Sequence, residues 1–419
     1  MTTVAYIANQ FPSPLEPYVM DEIEELRARG VRVVCCSGKR AQAGSFQGVR
    51  ERAFGGETLN LQPLTDAQVV RAVRRLGRAP EACMELLKPV LRELPRIPGR
   101  RVRTLGHTVL GAVLAEELEQ DGVEHIHAHH GYFASWVALV AARLLGIGFS
   151  FTLHGSDLLL RADLLAAKLR ACRYCVTVSD YNREYILAKY TDVAPSKIVV
   201  QRLGVDRVRP ATDAFHKPEP RRYCLLAVGR LHRVKDHEFL IRACAALRDA
   251  SLPFLCWIAG DGEERAALQR QIEDLRLRDR VLLVGHIGRD DLQGYYRHAD
   301  LVVLTSRSEG LPVVLMEAMA HGKLVLAPRI TAIPELVEHG RTGFLYRPGA
   351  LEDFVESVQW IAAHEDSLLD VGRAAAGHIA VHYDRRRNLQ QFADRFLERL
   401  AQPESAYASA LLQQIQLSV

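Results

Sequence analysis

The chain has 419 residues, 48% of them hydrophobic and 25% charged, with a net charge of +4. That length exceeds what one hydrophobic core usually serves and suits two domains. So small a net charge gives no global basis for binding nucleic acid. The start, MTTVAYIANQFPSP, has no basic region and only a short apolar run, unlike a secretory signal. The most apolar long stretch, WVALVAARLLGIGFSF, carries Arg143 and falls short of the ~18 apolar residues a spanning helix needs. The expected location is therefore cytoplasmic, without a membrane crossing.

Along the chain, TVAYIA reads as a strand. PYVMDEIEELRARG reads as a helix, with Val19, Ile23 and Leu26 on one face and Gly30 placed to end it. VRVVCCS, VEHIHAH, FSFTLHG, CVTVS and KIVVQRLG continue as strands between helical runs. Such alternation predicts a parallel sheet with helices on both faces. Residues 206–222, DRVRPATDAFHKPEPRR, are rich in proline and charge without periodicity and read as a linker. A second series follows: strand YCLLAVG, helix DHEFLIRACAALRDA, strand FLCWIAG, helix GEERAALQRQIEDLRL, then strands RVLLVG, DLVVLT and LVLA. The reading is a doubly wound domain over 1–205, a linker, a second over 223–385, and a C-terminal helix with a tail over 386–419.

Two stretches stand apart. Residues 69–103 hold ten Lys/Arg against three Glu, a net +7, more than the whole chain carries. Val70, Val73, Leu86, Leu87, Val90 and Leu91 give that stretch apolar faces. It reads either as a basic amphipathic helix pair that lies on an anionic membrane surface or as a solvated helical flank. The eight cysteines are scattered, mostly in strand-like runs where a reduced thiol acts as a small hydrophobe. Cys172 and Cys175 have redox-pair spacing without a second such pair to support it.

Two doubly wound halves facing each other form a cleft at the carboxyl ends of their strands, where ligands bind. Residues just after strands are therefore the candidates. After LLAVG come Arg230 and Lys235, with Gly229 easing the turn; two cations there suit a diphosphate, although a solvated loop would look the same. After LVVLT comes SRSEGLPVVLMEAMAHG. Pro312 suits the first turn of a helix that Gly322 can stop, and the free N–H groups of that turn form an anion site. Glu309 precedes this helix and Glu317 lies inside it. Carboxylates accept from sugar hydroxyls, so the pair fits a nucleotide sugar, while an ordinary solvated pair remains the alternative. After FSFTL come His154 and Asp157. His125, His127, His129 and His130 have a metal-like look, but no carboxylate or cysteine is close in sequence, and polar groups at a strand end are the preferred reading. AGDGEER lacks the third glycine of a dinucleotide fingerprint, which weighs against NAD.

HAHHG, TLHGSD, LGVD, VGRLHRVKD, AGDGEER, VLLVGHI, ADLVVLTSRSEGLPVVLMEAMAHG and GRTGFLY coincide in order and spacing. Together they resemble glycosyltransferase family 4, retaining enzymes of the GT-B fold, and the N-terminal half is most similar to the colanic-acid and exopolysaccharide branch. The resemblance implies transfer of a hexosyl unit from a nucleotide diphosphate sugar, a UDP- or GDP-sugar, to a hydroxyl of a glycan or lipid-linked acceptor. It implies that His154 lies near the reacting centre and that Arg230 and Lys235 neutralise the departing diphosphate. Glu309 would hold the donor sugar with the N–H groups of Gly310 and Leu311, and Glu317 the ribose. Gly229 would line the diphosphate, and Gly285, His286 and Ile287 would lie against the base. No metal or other cofactor is implied, and the helix after Arg385 is expected to return to the first domain.

One departure concerns the loop NQFPSPLEPYVMDE, where Leu15, Glu16 and Pro17 replace the usual Ser-Glu-Thr of that branch. Glu16 and Asp157 remain acceptor-side candidates. Two other readings are weighed: a sugar-nucleotide 2-epimerase, which would alter the donor sugar without an acceptor, and a non-catalytic partner that organises glycan assembly at the membrane through residues 69–103.

Overall fold

The strands are nearly continuous apolar runs because a parallel sheet is covered on both faces. The computed structural model describes residues 2–13, 16–40, 48–94, 98–160, 162–206, 208 and 222–402. The expected linker and the tail beyond residue 402 fall almost wholly outside these residues, as does Leu15. The chain divides into two units, one from the described parts of Met1–Gln201 and Leu389–Val419, the other from those of Arg202–Asn388.

The first unit has seven strands: β1 (Thr3–Gln10), β2 (Arg32–Lys39), β3 (Leu59–Asn60), β4 (His125–His129), β5 (Gly148–Leu153), β6 (Tyr174–Thr177) and β7 (Ile198–Val200). They form one parallel sheet in the order β3-β2-β1-β4-β5-β6-β7. Alternate β1 side chains enter different cores, as the two-residue period of a strand requires. Ala5 and Ile7 join the core under the helices Pro98–Leu118 and Phe133–Leu145, whereas Val4, Tyr6 and Ala8 pack with Val19, Met20, Ile23 and Leu26 of the helix Pro17–Ala28. Phe392, Ala393 and Phe396 of the C-terminal helix Arg385–Ala401 complete that second core.

The second unit repeats the design with β8 (Tyr223–Val228), β9 (Phe254–Ala259), β10 (Val281–Gly285), β11 (Leu301–Val303), β12 (Leu324–Pro328) and β13 (Phe344–Tyr346). Their order is β10-β9-β8-β11-β12-β13, again all parallel. Each sheet therefore runs outward in one direction, returns, and continues in the other. Its topological switch point lies between β1 and β4 in one unit and between β8 and β11 in the other. Residues 202–206 belong to the second unit, where Val205 pairs with Asp384 and its N–H donates to the Tyr383 carbonyl at 2.9 Å.

The basic stretch forms two helices, Asp66–Arg78 and Pro80–Glu93, and then the start of a third, Pro98–Leu118, rather than a helix pair. Leu86 and Val90 are buried, but Val70, Val73 and Leu91 are exposed. All eight cysteines are free thiols. Burial pushes the Cys172 thiol up to about 12 and raises Cys175 well above its ordinary value, so neither is a ready thiolate. No helix among the described residues is long and apolar enough to cross a membrane.

Candidate functional site

In the second unit the residues singled out after β8 and β11 meet at the switch point. The Lys235 ammonium donates to Glu309 Oε1 at 2.6 Å, and both side chains are mostly shielded, at 21% and 12% exposure. The loops that carry them are braced. Thr305 Oγ1 donates to the Lys235 carbonyl at 2.9 Å, and Thr331 Oγ1 to the Glu309 carbonyl at 2.7 Å. The Arg307 guanidinium grips both Asp236 oxygens at 2.7 and 3.0 Å. Arg230 is exposed, and its guanidinium makes no hydrogen bond or ion pair among the described residues. A free cation therefore stands at the head of the loop that holds a paired one.

Close backbone approach explains the glycines of AGDGEER. A Cβ at Gly260, where φ is +148°, would lie 1.9 Å from the Gly229 carbonyl oxygen, and one at Gly262 would lie 2.4 Å from that of Leu231. Those residues let the β8 and β9 loops touch, a structural role that needs no dinucleotide.

The helix after β11 runs Val313–Ala320, with Pro312 as its N-cap and not at its first helical position. Pro312 has an extended ψ of 107°, which places it just outside the helix. Gly322, at φ +67°, ends the helix by donating its N–H to Met319, with the Lys323 N–H returning to Ala318. Gly310 and Leu311 are buried in the loop ahead, and the N–H groups of Val313 and Val314 at the helix start have no intrahelical acceptor. Glu317 Oε2 accepts from the Tyr296 hydroxyl at 2.8 Å, and burial raises the pKa of this carboxyl. It lines a cavity of about 420 Å³ with Asp206, Arg289, Gln293, Arg297 and His321. Gly285 ends the edge strand β10 and His286 and Ile287 follow it, two strands from the switch point. Gly285 is tied to β9 through its carbonyl, which accepts from the Gly260 N–H at 2.8 Å, and His286 is exposed.

In the first unit the loops after β1, β4 and β5 build a second polar cluster. His154 Nε2 meets His129 Nδ1 at 3.2 Å, and the Tyr18 ring lies 4.7 Å from that of His154. Glu16 reaches His130 Nε2 at 2.8 Å. Asp157 corrects its sequence assignment. Its carboxylate is fully buried and spent on the backbone, accepting from Gly131 at 2.8 Å, Gly155 at 2.9 Å and His154 at 3.0 Å, with His130 Nδ1 at 3.5 Å. It shapes the two loops and offers no oxygen to an acceptor. Glu16 stays in contact with the cluster surface.

The charges sort by environment. Burial, then the neighbouring imidazoles, hold His154 well below its ordinary value, so it is neutral at pH 7. Burial opposes the charge on His130, but the hydrogen bonds its ring donates to Asp157 and Glu16, with their negative charges, overcome it and raise its pKa to about 10. His130 thus adds a cation that the strand pattern did not single out. Its left-handed backbone, φ +70°, turns it away from the strand that precedes it.

His125 and His127 are not at the carboxyl end of their strand. They lie within β4, fully buried, with His125 Nε2 and His127 Nδ1 sharing Ser150 Oγ at 2.6 and 2.7 Å and His127 Nε2 on Thr152 Oγ1 at 3.0 Å. The carboxylate that sequence proximity failed to offer comes from the first helix. Glu22 Oε2 stands 3.1 Å from His129 Nε2, and with His127 these atoms fall within 4.8 Å of one another. A shared cation would have to displace the hydroxyls that already occupy both nitrogens of His127.

Residues 15–209 match the family model described as Glycosyltransferase Family 4, and residues 208–378 match Glycosyl transferases group 1. The amylovoran biosynthesis glycosyltransferase AmsK of Erwinia amylovora is 32% identical over 214 residues, 49% of this chain and 51% of that protein. The chain spans about half the length of the first curated relatives it matches. Sucrose-phosphate synthase from Thermosynechococcus elongatus superposes with a TM-score of 0.75 at 19% identity, over 96% of this chain and all of that one. HepE of Anabaena, solved with UDP and glucose, gives 0.69 at 19% identity, over 95% of this chain and all of that one. The chain thus has the GT-B fold. The family 4 match falls mostly on the first unit and the group 1 match on the second.

Proposed function

We propose that the chain is a retaining hexosyltransferase that takes a sugar from a nucleoside diphosphate donor and delivers it to a hydroxyl of a glycan or lipid-linked acceptor in exopolysaccharide synthesis. The observation that carries this is the Lys235–Glu309 pair at the second unit's switch point, beside the free first turn of the helix that bears Glu317. In this reading Arg230, Lys235 and the helix end take up the negative charge that grows on the diphosphate as the glycosidic bond breaks. Glu309 and the loop N–H groups hold sugar hydroxyls, and Glu317, oriented by Tyr296, accepts from the ribose. Gly285, His286 and Ile287 border the base. The departing phosphate receives the acceptor proton in a front-face attack, so no resident metal ion is required. The first unit supplies neutral His154 and the Glu16–His130 pair as polar groups a sugar hydroxyl would meet. The relative named for amylovoran synthesis and the HepE complex with UDP and glucose support the substrate class. The exposed apolar residues of the basic helices support a peripheral membrane position.

Thermal unfolding of the full chain with UDP, GDP, ADP or NAD tests the donor. A ligand at ~100 times its dissociation constant adds about 2.7 kcal/mol. One nucleoside diphosphate should raise the melting temperature, and Glu317→Ala should abolish the rise. A shift with NAD alone, or equal shifts in the variant, would overturn the reading, as would turnover abolished by a metal chelator.

A further inference from the structure

The first unit holds a cavity that the donor chemistry leaves unused. It measures about 570 Å³ and lies over the carboxyl ends of β1, β2 and β4, at that unit's switch point. The helix Pro98–Leu118 turns one face toward it. Arg100, Arg103, Thr104 and His107 are spaced three and four apart and all line the cavity. Lys39, at the end of β2, lines it from another side, with its ammonium 5.8 Å from the Phe133 ring centre. His107 stacks on Phe133 at 4.9 Å.

The cations there are under-compensated. Asp163 is the carboxylate in the lining, 3.6 Å from Arg100, while Arg103 and Lys39 make no ion pair among the described residues. Buried Lys168 lines it too, with its ammonium pulled down to about 7 by burial. Its Nζ donates to the carbonyls of Gly131, Tyr132 and Asp163 at 2.7, 2.9 and 2.9 Å. Three acceptors match the three N–H donors of an ammonium. The field registers on His107, which burial and then Arg103, Lys168 and Lys39 pull down to about 4. Lys168 also fastens this cavity to the reacting side, because Gly131 and Tyr132 directly follow His130.

We infer that this cavity binds the phosphate or diphosphate group of the acceptor, leaving the acceptor's hydroxyl near Glu16, His130 and His154. The inference rests on the transferase reading, since it names that enzyme's second substrate. The same helix presents Val102 and Leu105 to solvent, 67% and 43% exposed, on the side next to the arginines. A lipid-linked diphosphate would set its head group among the cations while its bilayer met those side chains; a soluble sugar phosphate would use the cations alone.

The test is calorimetric binding of inorganic pyrophosphate to the full chain at fixed ionic strength. In Arg230→Ala/Lys235→Ala, which removes the donor-side cations, pyrophosphate should still bind. In Lys39→Ala/Arg103→Ala the cavity site should weaken tenfold or more; both side chains are exposed, so the fold should survive, and unchanged unfolding would verify this. Loss of all binding in the first variant, or unchanged binding to the second, would overturn the inference. Neither outcome depends on donor turnover, so failure here is separable from failure of the transferase reading. Sedimentation with phosphatidylcholine vesicles then separates the sources. Capture that requires an isoprenyl diphosphate in the vesicle and is lost in Lys39→Ala/Arg103→Ala supports the lipid carrier. Pyrophosphate binding without vesicle capture supports the same cavity with a soluble sugar phosphate.

Discussion

Replacing His130 by Asn removes one buried cation and keeps a residue that tolerates the left-handed backbone at that position. The wild-type ring stands 2.8 Å from Glu16 and 3.5 Å from Asp157 and is about nine-tenths buried. Its folded pKa is raised from 6.5 to about 10. A raised folded pKa gives stability that is fully present below 6.5 and is lost as pH rises through 10. At ~1.4 kcal/mol per pKa unit, the charged ring contributes roughly 5 kcal/mol at pH 6 and about 1 kcal/mol at pH 9.5. Glu16 and Asp157 have lowered pKa values and stay ionised across that range, so they add no slope of their own. Lys168, pulled down to about 7 by burial, titrates in both chains and cancels in their difference. Urea unfolding in a Trp257→Phe/Trp360→Phe background, where buried Trp136 reports on the first unit, would measure the gap between His130 and His130→Asn. The gap should shrink by about 4 kcal/mol from pH 6 to pH 9.5. An equal gap at both pH values would show that the variant loses packing and hydrogen bonds alone, and would refute the ionised His130.

Lys235→Met should lower kcat/KM for the nucleotide sugar by roughly a hundredfold or more, about 3 kcal/mol of lost charge stabilisation; a change under threefold would remove Lys235 from the diphosphate site. Tyr296→Phe withdraws the donor to Glu317 and should weaken nucleotide binding by about 1 kcal/mol, roughly fivefold, read by calorimetry; unchanged affinity would detach Glu317 from the nucleotide. Burial depresses His125 and His129 to about 3, so the unfolded chain binds their protons first and stability falls as pH drops below 6.5. Acidification from pH 6.5 to 5 should cost about 2 kcal/mol for each, followed through Trp136, and a loss below 1 kcal/mol in total would contradict their buried neutral state.

The meeting of Lys235 and Glu309 was legible because parallel α/β folds bring the residues directly after neighbouring strands together, and strand ends can be read from apolar runs. Lys235 and Glu309 are 74 positions apart, yet the two strands before them predict their meeting at one switch point. Residues that act across helix packing were not legible. Tyr296 shares a helix face with Leu292 and reads as core, and only the docking of that helix shows its hydroxyl against Glu317. Glu22 likewise sits on the inner face of the first helix, where a carboxylate breaks the apolar pattern; that break was the available signal. The edge strands β3 and β13 have two and three residues, too few for any period to show. Arg100 and Arg103 read as part of a basic run, because charge along a sequence does not say which cations share a cavity.

The histidine-rich strand shows how one motif divides its labour by depth. His125 and His127 sit under the C-terminal helix, where β5 hydroxyls bond one nitrogen of His125 and both of His127 and burial keeps the rings neutral. One step further, His129 leans on Glu22 and His154. At the strand's end the backbone turns left-handed and His130 meets two carboxylates, which reverses the sign of its shift. Identical side chains therefore become packing, positioning and charge within six residues, because the number of carboxylates in reach rises toward the carboxyl end of the strand. A metal held by Glu22, His127 and His129 would have to displace the hydroxyls already on His127. The charge at His130 holds Glu16 as a carboxylate beside neutral His154, so the cluster presents an ionised acceptor and an uncharged ring side by side.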